Sequence, residues 1–250
     1  MSQYLANLLK IMIIFLGGII SFSIFAHGVD ETTQQFLIQN QGVSIVPFMY
    51  IGAKHMLTGY DHLLFLVGVI FFLFRTKDIV LYVSLFTLGH SLTLLWGVFN
   101  DININAYLID AIIGFSIVYK GFDNLGGFKR ILGVQPNTKL AVLIFGLFHG
   151  FGLATKIQEF NLPQEGLVTN IIAFNVGVEI GQFMALAVVL IGMSLWRRHS
   201  SFMRFATATN SLLMSGGIML VGFQLTWVLH QLTLNTLHHT STTGAVNINI

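Results

Sequence analysis

The sequence predicts an all-α protein, a polytopic bundle of membrane-spanning helices. Three observations predict it. Apolar runs recur along the whole chain, too long and too many to be the core of a soluble domain of 250 residues. The chain is 54% hydrophobic and only 9% charged, whereas a soluble domain is nearer a quarter charged, so it cannot cover a water-facing surface. A few ionisable residues lie inside those runs, where by default they face an interior rather than lipid. The 25 Gly suit the same class, because glycine lets membrane helices approach closely.

In chain order, residues 1–26 read as a secretory signal. Lys10 precedes an apolar run at 11–25 that ends at Ala26, and cleavage there leaves His27 as the first mature residue. The competing reading is an uncleaved helix, for which about 15 apolar residues are few. Residues 27–43 read as a polar periplasmic segment. The transmembrane domain is expected over 44–235. It starts with a short apolar helix at 46–56 and continues with six spans near 59–74, 79–99, 106–120, 140–155, 168–196 and 211–232. The fifth is long enough to be tilted. Residues 236–250 are polar and read as a disordered tail.

Basic residues give the orientation. Arg75, Lys77, Lys120, Lys129, Arg130, Lys139, Arg197, Arg198 and Arg204 fall in three loops on one side of a six-span count, and only Lys54 and Lys156 fall opposite. The positive-inside rule makes the basic side cytoplasmic. Both mature termini then face outward, in agreement with a cleaved signal. Trp96, Trp196 and Trp227 near span ends fit interfacial anchoring.

Other classes are excluded or disfavoured. Cysteine is absent, which removes disulfides, thiolate metal sites and cysteine nucleophiles. No basic run or aromatic-basic interleaving points to nucleic acid. There is no Walker A motif for ATP and no H-E-x-x-H motif for metal-assisted hydrolysis.

The informative residues are His55, Asp61, His62, His90, Asp110, His149 and Glu179. An ionisable group in a span costs several kcal/mol if it faces lipid, so by default it lines a cavity. Imidazole and carboxylate are donors that divalent first-row metals accept. His55 and His62 are seven apart, nearly two turns, and share a face if the helix is continuous; Gly59 between them could bend the chain instead. Asp61 could ligate, orient a ligating histidine, or favour a helix start through the dipole. His149 lies between Gly146 and Gly150, a G-x-x-x-G packing face, where the bland reading is an interhelical hydrogen bond. Asn175, Glu179 and Gln182 share one helical face. Asn175, Gln182 and Ser91 are candidates to orient ligands. Asp110 could ligate or be merely hydrated. His27 is a conditional ligand at the entrance. His199, His230, His238 and His239 read as loop or tail residues.

Four motifs in this order, HMLTGYDHLLFL (55–66), FTLGHSLTL (86–94), FGLFHGFGLA (145–154) and FNVGVEIGQ (174–182), resemble the HupE/UreJ family of bacterial membrane proteins. The resemblance covers most of the chain from Gly52 to Trp196. It implies a nickel permease or facilitator associated with hydrogenase or urease maturation. His55, Asp61, His62, His90, His149 and Glu179 match the family's polar positions, and Asp110 stands where the family is expected to carry glutamate. From the residues alone, cobalt, zinc and copper remain open beside nickel. Two other classes remain open as well: an intramembrane metalloenzyme, and a haem electron carrier with His90 and His149 as axial ligands.

Overall fold

In the computed structural model, residues 42–158 and 165–245 are described, with only the helical backbone for 234–245. The signal segment and His27 lie outside them. Eight helices occur among the described residues: α1 Ile45–Thr58, α2 Tyr60–Ile70, α3 Thr76–Phe99, α4 Ala106–Asn124, α5 Gly127–Leu132, α6 Thr138–Gln158, α7 Leu167–Arg197 and α8 Ser201–Ala245. Four of them, α3, α6, α7 and α8, are long and apolar enough to cross a membrane.

The other two expected spans differ in instructive ways. α4 has 19 residues but carries Asp110, Lys120 and Asp123. α2 has only 11 residues, about 16 Å at 1.5 Å per residue, and cannot cross a hydrocarbon core of about 30 Å. Gly59, in an extended conformation, separates it from α1, and the chain leaves helix again after Ile70. Arg197 holds that far end. Its guanidinium donates to the carbonyls of Ile70 and Phe71 at the helix end and lies 4.7 Å from the Phe74 ring centroid. α8 continues helical to Ala245, past the point where composition alone suggested an irregular tail.

The helices associate as three tight pairs, α1 with α7, α3 with α6 and α4 with α8, around the short α2. Glycine makes each pair tight. A Cβ on Gly52 or Gly177 would run into the backbone of the opposite helix at Phe174 or Met49, and one on Gly146 or Gly150 into the carbonyl of Phe86 or His90. Gly114, Gly121 and Gly217 do the same between α4 and α8.

The surface is apolar and the interior partly polar, the reverse of a soluble protein. Leu88, Leu92 and Trp96 on α3, and Phe183, Val188 and Ile191 on α7, are exposed. Thr93, Ser116, Asn170, Gln182 and Asn210 are buried. Such an outside suits acyl chains. One orientation marker changes character. Lys120 is not a loop residue: it is buried beside Asp123, with Nζ–Oδ2 at 2.6 Å. Asp123 also accepts from Gln135, and Asn124 bridges the Gly68 carbonyl to Asn210.

Replacing Gly52 by Val is expected to lower stability by about 1–3 kcal/mol through overpacking against α7. Thermal unfolding of the purified protein in detergent measures it, and an unchanged midpoint would contradict the close α1–α7 contact.

Candidate metal site in the helix bundle

The Gly59 break builds the centre of the site. A continuous helix would stack His55 and His62 two turns apart. The break instead turns α2 so that the two ring centroids lie 5.2 Å apart. Gly59 is required there, because a Cβ would sit 2.7 Å from His62 Nδ1 and 3.0 Å from Asp61 Oδ1. Asp61 follows in the first turn of α2. Its Oδ1 lies 2.9 Å from His62 Nδ1 and accepts the His62 backbone N–H, also at 2.9 Å. A carboxylate on Nδ1 fixes the ring's orientation and leaves Nε2 for another partner.

The α3–α6 pair contributes two more rings. His149 lies 5.0 Å and His90 6.4 Å from His62, centroid to centroid. His149 Nδ1 is 2.7 Å from the Phe145 carbonyl, one turn earlier in α6. Beside it Thr93 donates to the Leu147 carbonyl at 2.6 Å, tying α3 to α6 at this level. Phe86 and Phe65 close over the rings, 4.8 and 5.6 Å from His149. His90 and His149 are each 2% exposed, so no bulk water reaches them. Yet His55 Nε2, His149 Nε2 and both nitrogens of His90 are buried without a hydrogen-bond partner among the described residues. Leaving such groups unpaired costs about 1–3 kcal/mol each. As they stand, no three ligating side chains among the described residues are arranged to hold an ion together.

The remaining candidates lie elsewhere. Asn175 and Gln182 face α3: Asn175 exchanges hydrogen bonds with Ser91 at 3.0–3.1 Å, and Gln182 accepts from Thr87 at 2.8 Å. Glu179 lies between them in sequence, half-buried, and no hydrogen bond or ion pair joins it to the histidines. Asp110 is paired with a lysine of α6. Both its oxygens accept from Lys156, at 3.0 and 2.9 Å. Lys156 was the residue to find from sequence. It stands seven positions after His149, on the same face of α6, although a linear count of charges places it only near a loop.

Apolar-faced helices enclosing buried histidines define a multi-pass helical membrane protein with a polar interior. The family profile described as HupE / UreJ protein matches residues 16–232, and the chain belongs to that family, whose members are nickel/cobalt transporter-like membrane proteins and not enzymes. No curated protein and no solved structure matches the chain.

Replacing His90 by Leu removes two unpaired buried nitrogens at nearly constant volume. Thermal stability is therefore expected to hold or to rise by about 1–3 kcal/mol. A marked fall in the melting temperature would mean that this ring has a structural partner.

Proposed function

We propose that the chain is a permease or facilitator for a divalent transition metal, with nickel the favoured substrate, in a bacterial inner membrane. One observation carries the reading: four histidines from four helices, His55, His62, His90 and His149, meet inside an apolar bundle, three of them with ring nitrogens that have no hydrogen-bond partner among the described residues. Metal–nitrogen bonds of about 2.0–2.1 Å put two imidazole centroids on one tetrahedral ion roughly 5 Å apart. The His55–His62 and His62–His149 separations of 5.2 and 5.0 Å fit that value. His90 at 6.4 Å would have to close in. A site that coordinates only after small movements suits transport, because an ion bound too tightly is not released.

In this reading the ion enters from the periplasmic side, loses part of its water and reaches the rings. Asp61 fixes His62 and offsets positive charge. Glu179, on the same helix as Asn175 and Gln182, provides the next carboxylate, and Asn175, Gln182 and Ser91 orient ligands. Cleavage after Ala26 would place His27 at the entrance, and a metalloenzyme maturation system for hydrogenase or urease would use the delivered nickel. A membrane potential of 100 mV contributes about 4.6 kcal/mol for a divalent ion, enough to concentrate it without ATP. Protonation of imidazole competes with metal, so uptake falls as the outside is acidified.

The test is radioactive nickel uptake by cells expressing the wild type, His62→Ala, Glu179→Ala or Asp61→Asn. Uptake is expected to be abolished in the first two variants. Metal affinity should fall by about 10–100-fold in the third, which removes only the group orienting His62. Unchanged uptake of nickel, cobalt, zinc and copper in all three, at normal expression, would eliminate the reading.

A further inference from the structure

At the end of the bundle where α2 and α4 begin and α6 finishes, a small cavity opens beside the histidines. Tyr60, Asp61, Asp110, Lys156 and Gln224 supply its polar lining. Two carboxylates and one ammonium share it. Among the described residues the ammonium is held by Asp110, through both oxygens, with the Asp110 side chain 12% and the Lys156 side chain 24% exposed. Asp61 reaches His62 through Oδ1, while its Oδ2 makes no hydrogen bond among the described residues. The cavity therefore adjoins the histidine cluster through one shared residue, Asp61.

We propose that Lys156 is a tethered cation that occupies this outer vestibule at rest and is displaced by the entering divalent ion, so that it sets the affinity of the entrance. The inference rests on the transport reading above and adds a residue to it. Two physical points carry it. The first is charge. With Lys156 in place, Asp61 and Asp110 leave the vestibule at −1, and a divalent ion would overshoot neutrality. With the ammonium withdrawn, the two carboxylates match a charge of +2. The second is room. With Lys156 in place the free volume is about 30 Å³. That holds on the order of two waters, not the octahedral shell with which a small divalent cation arrives. The long, flexible lysine stem lets the ammonium leave without moving the backbone. Lys156 also discriminates: a monovalent ion that displaces it restores the resting charge and no more, whereas a divalent ion neutralises both acids.

The experiment uses the full chain and nickel(II) ions. Equilibrium binding is measured on purified protein in detergent, and uptake in proteoliposomes. Lys156→Gln should tighten binding about tenfold and lower the maximal uptake rate, because repulsion is lost and release slows. Lys156→Arg, which keeps the charge, should stay near the wild type in binding. Asp110→Asn should weaken binding about tenfold, since the lysine then stands uncompensated. Combining Asp110→Asn with Lys156→Gln should restore much of that loss. Binding that weakens or stays level in Lys156→Gln, or a double variant no better than Asp110→Asn, would overturn the proposal and assign the pair a structural role only. Wild-type protein that binds nickel but does not move it would remove the transport reading instead. The lysine would then still be judged on the binding differences.

Discussion

The carboxylate of Asp61 against Nδ1 of His62 is the contact on which the centre of the molecule depends. An imidazole buried in a helix bundle can rotate or exchange tautomers, and either would misdirect the nitrogen left for a ligand. Asp61 opposes both by fixing one nitrogen at 2.9 Å. The contact exists only because Gly59 separates α1 from α2 and has no side chain to fill the space where the two residues meet. His55 approaches from one side of that break and His149 from the other helix pair, so the remaining rings are arranged around one fixed member.

The cost of this arrangement is borne by the pairs that surround it. Unpaired imidazole nitrogens destabilise a bundle, and lipid offers no hydrophobic drive to hold helices together. Close backbone contact supplies what is missing. Gly146 and Gly150 bring α6 onto α3 at the level of His90 and His149, and Gly52, Gly177 and Gly181 bring α7 onto α1 beside His55. The G-x-x-x-G around His149 thus serves both ends: it packs the helix pair and holds the ring in the shared interior.

Much of this was legible in the sequence, for reasons that can be named. Hydrocarbon thickness forces long apolar runs, so α3, α6, α7 and α8 are readable from composition alone. Polar groups in lipid must turn inward, so the four histidines could be singled out before any geometry was known. What was not legible depended on pairing across helices. Asp110 carries the same chemistry as a ligand, and only the position of Lys156 on α6 makes it half of an ion pair. Lys120 counts as a cytoplasmic charge in a linear reading, yet it is buried with Asp123. α2 reads as a full span because its apolar run continues past Ile70, while its helix stops there. Whether Glu179 belongs with the histidines turns on distances that spacing along α7 does not encode.

The division into three pairs has a mechanical consequence. His90 and His149 ride together on α3 and α6, whereas His55 belongs to α1 with α7, and Asp110 to α4 with α8. Within a pair, backbone touches backbone and little can slide. Between pairs the hydrogen bonds run through side chains, as in Ser91–Asn175 and Thr87–Gln182, which re-form readily after a small shift. A rigid rocking of one pair against another would therefore lengthen or shorten several donor distances at once. Capture and release at the histidines would then be a single movement of stiff units.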